Sequence, residues 1–255
     1  MCLLAVHIGF SPTAPILLAA NREEAYARPS RPPEVYEGSP SVMCGTDVTV
    51  GGTWLGVNGQ GGVVAVTNRP QPSRVPQPRS RGLLCRELLS CESASEAAEL
   101  AVRELSTGGY LGANFLMADA KGGFIVHGGE QLETLELEPG LHLLTNGDAN
   151  DPNDPRQATA RAMLTEARYA TVQEFVAAAK NVCAFNHDDA AKGAQPKRDT
   201  SIIIRRPERG TVSSSIITLS QSPAECHYFF APGPPDTEDY ADMSDSLRLL
   251  LGGAH

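Results

Sequence analysis

A cysteine at position 2, the run Asn21-Arg22-Glu23-Glu24 and two Thr-Asn pairs, Thr67-Asn68 and Thr145-Asn146, are the residues whose types and spacing could do chemistry. A small residue at position 2 permits removal of Met1, which would leave Cys2 carrying both a thiol and a free α-amine. The thiol pKa is ~8.5 and the amine ~7.7–8.0, so the amine can serve as base for its own side chain near neutral pH, with no partner histidine. Position alone fits better a small apolar residue that opens a strand.

The elements around Cys2 sharpen the choice. Residues 2–8 (CLLAVHI) and 15–21 (PILLAAN) are short apolar runs separated by Gly, Ser and Pro, which predicts a β-hairpin. In an antiparallel pair the start of the first strand lies opposite the end of the second, so Cys2 is expected beside Asn21 to Glu24. A cation there favours the thiolate, and a carboxylate can hold the ammonium or the cation. Charged residues after a strand are also ordinary solvated turn residues. Asn68 and Asn146 each close an apolar run; the Asn amide can donate to a developing oxyanion, although Asn is equally a favoured turn residue. In GGTWLG (51–56) the glycines permit an unusual backbone or a close approach, and Trp54 is either a cleft wall beside Cys2 or part of a bulged core strand.

The remaining pattern predicts the frame. The prolines of 27–41 (Pro29, Pro32, Pro33, Pro40) predict an extended loop, and 69–81 is a second Pro-rich loop. Strands are expected at 51–58 and 62–68. Helices follow at 82–90 and at 93–105, where Ser93-x-x-Glu96 reads as a capping box. Strands return at 113–120, 123–128, 131–138 and 140–146. Helices are expected at 154–169 and from Thr171-x-x-Glu174 to about 181, then strands at 200–206, 211–220 and 225–232. This order predicts an α+β fold, two stacked antiparallel sheets flanked by helix pairs, as one domain over 1–255. The tail 233–255 is acidic and Pro-rich, ends in LRLLL and has no assigned role.

Composition narrows the function classes. The net charge is −9, from 30 acidic and 21 basic residues, which argues against a nucleic-acid partner or an anionic lipid surface. No segment reaches about 18 consecutive apolar residues, so no transmembrane helix is expected. The first basic residue is Arg22, and Pro12 and Pro15 break the N-terminal apolar stretch; a signal peptide is not expected, and the location is read as cytoplasmic. The six cysteines show no CxxC spacing, which speaks against disulfides and zinc. His7, His127, His142, His187 and His227 are scattered, and His187-Asp188-Asp189 reads as a surface turn. No cofactor or metal is expected.

Cys2, AANREEAYARPS (19–30), GGTWLG (51–56), the TN of VVAVTN (63–68), ANF (113–115) and LLTN (143–146) together resemble the NRDE family, the transport and Golgi organisation protein 2 family, in order through most of 1–210. The motif Asn-Arg-Asp-Glu departs here at its third place, Glu23. That family in turn is similar to cysteine-type N-terminal nucleophile (Ntn) hydrolases. The resemblance implies a four-layer αββα sandwich and a site of Cys2, Arg22, Glu24, Asn68, Asn146 and a distal Arg198. The two motifs differ in internal spacing, so Asn21 or Glu23 stands as an alternative for the role of Arg22 or Glu24. The implied activity is amidohydrolysis of a non-peptide C–N bond, with a small amide-like substrate. The alternatives are a non-enzymatic carrier of haem or lipid using the same cleft, and, more remotely, a trafficking adaptor.

Overall fold

Residues 2–71, 75–186 and 200–253 are described by the structure, a computed structural model. The chain opens with β1 (Leu3–Ile8) and β2 (Ile16–Ala25), antiparallel partners with Leu3 opposite Asn21 and Ile8 opposite Ile16. Both strands are apolar on both faces. Leu4, Val6, Ile8, Ile16, Leu18 and Ala20 face a core shared with the second sheet. Leu3, Ala5, Leu17 and Ala19 pack in the opposite direction, against helices. Such near-continuous apolar runs are what a strand covered on both faces requires.

Among the described residues the first sheet has six strands. In spatial order they are β10 (Gly140–Leu144), β1, β2, β11 (Arg209–Leu219), β12 (His227–Ala231) and β13 (Ala241–Asp242). The second sheet is a seven-stranded meander in chain order: β3 (Ser30–Tyr36), β4 (Val42–Asp47), β5 (Leu55–Asn58), β6 (Val63–Asn68), β7 (Ala113–Asp119), β8 (Gly122–Gly128) and β9 (Glu133–Leu137). Every ladder between these strands is antiparallel. Helices α1 (Arg81–Leu88) and α2 (Ala94–Leu105) cover the second sheet, and α3 (Pro155–Ala167) and α4 (Val172–Cys183) cover the first. The result is the four-layer αββα sandwich expected from the sequence. A further helix, α5 (Ser244–Gly252), sends Leu247 and Leu250 into the inter-sheet core, so the segment after Pro232 contributes both a strand and core packing.

The helix starts carry the expected caps. Thr171 and Glu174 form a reciprocal capping box. Ser93 accepts from the Glu96 amide, but the Glu96 carboxylate accepts from the Glu92 amide, so only half the expected box forms.

Three expectations are corrected. Residues 30–36 form a strand, although 27–41 reads as a loop, and a further strand at 42–47 falls where no element is expected from the sequence. β3 is an edge strand with a register shift between Arg31 and Glu34, around Pro32-Pro33, and an edge bulge tolerates missing amide donors. The strand expected at 51–58 begins only at Leu55. Residues 200–206 are not a named strand: Ser201 to Ile204 are buried, but the backbone of Ser201 to Ile203 is committed elsewhere. The amides of Ile202 and Ile203 both donate to Phe185 O, and the carbonyls of Ser201 and Ile202 accept from Arg156. His187-Asp188-Asp189 lies outside the described residues.

Gly51 and Gly52 dock α1 onto the second sheet. Gly51 turns with φ +74°, and Thr53 N donates to Gly82 O at 2.9 Å. A Cβ on Gly52 would overlap the backbone of Gly82 and come within 2.7 Å of Leu83 N. Gly52→Ala is therefore expected to lower stability by about 1–3 kcal/mol through forced displacement of α1. A Cβ on Gly147 meets nothing within 4 Å, so Gly147→Ala is expected to stay within about 0.5 kcal/mol of wild type. Urea unfolding of the two variants checks the contrast; equal midpoints would contradict it.

Candidate active site

The site lies at the end of the sandwich where β1 begins. Register carries Cys2 opposite Arg22 on one side and next to Asn146 on the other, since Leu3 pairs with Asn21 and Leu4 with Leu144. The Cys2 backbone nitrogen donates to Asn146 Oδ1 at 3.1 Å. Strand alternation then sorts the Asn21-Arg22-Glu23-Glu24 run. Arg22 and Glu24 share the face of Leu18 and Ala20 and point toward the inter-sheet cleft. Asn21 and Glu23 share the face of Leu17 and Ala19 and point toward α3 and α4.

Cys2, Arg22, Glu24 and Asn68 line one cavity of about 330 Å³, closed on other sides by Trp54 and Arg81. Arg22 is only 6% exposed. Its guanidinium lies 3.8 Å from the centroid of the Trp54 ring, a cation–π contact, and its Nη1 donates to Ser30 Oγ at 3.2 Å. Trp54 thus forms a cleft wall beside Cys2. Arg81, in the first turn of α1, donates to Gly112 O at 2.7 Å. Burial holds both guanidinium pKa values below the ordinary value, while the nearby Glu24 carboxylate and Cys2 sulfur oppose that shift. Burial pushes the Cys2 thiol up, and the Glu23 carboxylate adds to this. The Glu23 backbone N–H and the Arg22 charge pull it back.

Beneath the cleft, Glu23 and Arg156 form an ion pair at 2.8 Å with side chains 1% and 6% exposed. Arg156 stands in the first turn of α3, where the Asp154 side chain caps the helix by accepting from Arg156 N and Gln157 N. Burial pushes the Glu23 carboxyl up, and the Arg156 guanidinium opposes that shift. Arg156 also donates to Ser201 O and Ile202 O, so it pins the 201–202 backbone to the same point. Asn21 Nδ2 donates to Cys183 O at the end of α4.

A second buried network fixes Asn146 from the other sheet. Thr67 Oγ1 donates to Thr145 O at 2.6 Å. Asn114 Nδ2 donates to Thr67 Oγ1, Thr145 O and Gly147 O. With its NH₂ so engaged, Asn114 presents Oδ1 as acceptor, and His127 Nδ1–H donates to it at 2.7 Å. His127 therefore carries its Nδ1 proton, and its Nε2 has no hydrogen-bond partner among the described residues. Burial, then the Arg69 charge, hold its pKa below the usual value.

Of the six residues expected from the sequence, Cys2, Arg22, Glu24, Asn68 and Asn146 converge, and Arg198 lies outside the described residues. Sequence reasoning missed Arg81, Arg156, Asn114 and the part played by His127. The helix-start signals Ser80-Arg81 and Asp154-Pro155-Arg156 were available for the two arginines. Asn114 lies in the ANF motif (113–115), which assigns it no role, and nothing in the spacing marks His127. All six cysteines are unpaired thiols, and among the described residues no three His, Cys, Asp or Glu side chains gather as metal ligands would. No helix among them is long and apolar enough to cross a membrane.

Residues 1–229 match the family described as Transport and Golgi organisation 2, and the chain belongs to that family. A Bos taurus Transport and Golgi organization protein 2 homolog is 30% identical over 229 residues, covering 80% of this chain and 82% of the bovine protein. A Mus musculus homolog is 33% identical over 147 residues, 54% of this chain and about half (52%) of the mouse protein. Two solved structures share the fold. A Caenorhabditis elegans N-acylethanolamine-hydrolyzing acid amidase ortholog superposes with TM-score 0.55 at 14% identity, covering 97% of each chain. The C2A mutant of conjugated bile acid hydrolase from Clostridium perfringens does so with TM-score 0.52 at 11% identity, covering 96% of this chain and 93% of that one. The architecture is thus Ntn-hydrolase-like.

Two outcomes are expected from the buried networks. Arg156→Leu takes the contacting guanidinium away from the buried Glu23 carboxylate and should cost about 3–5 kcal/mol, read as a lower denaturant midpoint. Burial holds the His127 pKa below its unfolded value, so the unfolded chain takes up the proton first as pH drops below about 6.5, and stability falls from there. His127→Gln should lose less stability than wild type between about pH 6.5 and 5. His7 and His227, also held down by burial, supply the remaining slope. Identical slopes in urea unfolding across that range would contradict the assignment.

Proposed function

We propose that this member of the Transport and Golgi organisation 2 family is an N-terminal cysteine amidohydrolase that cleaves a non-peptide C–N bond in a small substrate. The observation that carries the reading is the Cys2 backbone nitrogen donating to Asn146 Oδ1 at 3.1 Å, with the Cys2 side chain in the same cavity as Arg22 and Asn68.

In this reading, loss of Met1 turns the Cys2 nitrogen into a primary amine whose orientation Asn146 fixes. The amine takes the thiol proton, and Sγ bonds to the carbonyl carbon. Asn68 Nδ2 donates to the oxyanion of the tetrahedral intermediate. Collapse breaks the C–N bond, and the Cys2 ammonium returns its proton to the departing nitrogen. Water then attacks the thioester, with the amine again accepting a proton, and releases the acid and the thiol. Arg22 and the Glu23 amide favour the thiolate against the burial that opposes it. Glu24 sets the field at Arg22. A cavity lined by Arg22, Arg28, Arg81, Glu24 and Asp47 suits a small polar amide better than the apolar ligand of a haem or lipid carrier.

The test is a set of small acyl amides with wild type and Cys2→Ala. The variant should keep its folded circular-dichroism spectrum and lose at least about a thousandfold in kcat/KM. The active protein should have the intact mass of a chain without Met1. Turnover that survives Cys2→Ala, or an active chain that retains Met1, would overturn the mechanism. Saturable haem binding that survives Cys2→Ala, with no turnover of any amide, would favour the carrier.

A further inference from the structure

Two of the arginines that line the cavity are paired. Arg28 Nε meets Asp47 Oδ2 at 2.6 Å, and Arg79 Nη1 meets Glu104 Oε2 at 2.5 Å. Arg22 and Arg81 are different. Among the described residues neither has a carboxylate at ion-pair distance: Arg22 meets Ser30 Oγ and the Trp54 ring, and Arg81 meets Gly112 O. Glu24 also lines the cavity, but its Oε1 accepts from the Ala25 amide at 2.8 Å. Arg22 is buried and Arg81 half-buried, neither with a contacting anion, and their remaining N–H donors suit an anionic group on a ligand.

The position of Arg81 is built rather than incidental. The first turn of α1 is clamped against Gly52-Thr53 by the Thr53 N to Gly82 O bond, and it admits no Cβ at Gly52. Ser80 Oγ accepts from Leu83 N, so the cap holds the helix start from which Arg81 reaches the cleft. The Trp54 ring fixes Arg22 from the other side of the same cavity.

We propose that Arg81 and Arg22 form an anion subsite beside the Cys2 sulfur, which selects small amides bearing a carboxylate over neutral amides of the same size. This rests on Cys2 as the reacting group of the proposed hydrolase and names the substrate class of that site. Arg81 acts as a specificity residue through direct contact with the acidic group; it has no part in bond making.

The test compares alkylation of Cys2 by iodoacetate and iodoacetamide, located by peptide mass mapping. Both place the same reacting carbon on the thiolate and expel iodide; they differ in one carboxylate against one carboxamide. The ratio of the two rates cancels the thiolate fraction, and it needs neither Met1 removal nor amide turnover. Relative to glutathione, the wild-type iodoacetate-to-iodoacetamide ratio should rise about ten- to a hundredfold, the worth of a charge-assisted contact. Arg81→Gln should return it to the glutathione value, and Arg81→Lys should retain part of the gain. Should Arg81→Gln not fold, propionate should slow iodoacetamide labelling of wild-type Cys2 where propionamide does not. A wild-type ratio equal to that of glutathione, equal protection by propionate and propionamide, or a Cys2 inert to both reagents would each overturn the subsite. A raised ratio in a protein that turns over no amide would leave the anion subsite standing and remove the hydrolase reading instead.

Discussion

The registration of β1 between β2 and β10 is the constraint on which the remaining structure depends. Leu4 lies opposite Ala20 on one side and Leu144 on the other, and that register continues to the end of the strand, where Cys2 meets Arg22 and Asn146. A slip of one residue would send Leu4, Val6 and Ile8 toward the helices and Leu3 and Ala5 into the inter-sheet core. Both faces of β1 are buried, one against the second sheet and one against α3 and α4, so the register is fixed by apolar packing on two sides. The same packing that folds the chain therefore brings together three side chains separated by up to 144 positions.

Apolar packing stops at the end of the sandwich that holds Cys2, and polar contacts take over. Thr67 and Asn114 of the second sheet grip the 145–147 segment that follows β10 of the first. Arg156, at the start of α3, grips Glu23 of β2 and the 201–202 backbone. Each network ties two layers together through groups that would be expensive to leave unpaired in a low-dielectric interior. Charge-assisted and multiply bonded groups hold their neighbours within narrow limits, which is what a site needs of the frame behind it. Asn146 is thus oriented from one side by a sheet it does not belong to, and the Arg22-Glu23-Glu24 stretch by a helix far along the chain.

The layer order and the hairpin were legible in the sequence because two-sided apolar strands and capped helices leave local patterns. The meeting of Cys2 with Arg22 followed from the expected pairing alone. What was not legible depends on partners distant in sequence. Pro32 and Pro33 argue against a strand unless that strand is known to sit at an edge with a bulge, which only the sheet order reveals. Ser201 to Ile204 have the composition of a strand, but the backbone of Ser201 to Ile203 is taken by Arg156 and Phe185, and only Ile204 bonds to Thr211 of β11. Arg81 and Arg156 each begin a helix, where an arginine ordinarily gains nothing from the helix dipole. Only the cavity and the buried carboxylate explain them.

The alternation of β2 also bears on the one departure from the family motif. Arg22 and Glu24 face the cleft, whereas Asn21 and Glu23 face the helical layer. The alternatives left open by motif spacing therefore face different layers of the sandwich. Glu23, which stands where the motif has Asp, spends its carboxylate on Arg156 and offers Cys2 its backbone N–H and an opposing charge. A longer carboxylate at that place changes how far the side chain reaches into the helical layer, while Arg22 and Glu24 continue to line the cavity. The departure thus falls on the ion pair that anchors β2 to α3, and the cleft-facing residues of the motif are retained.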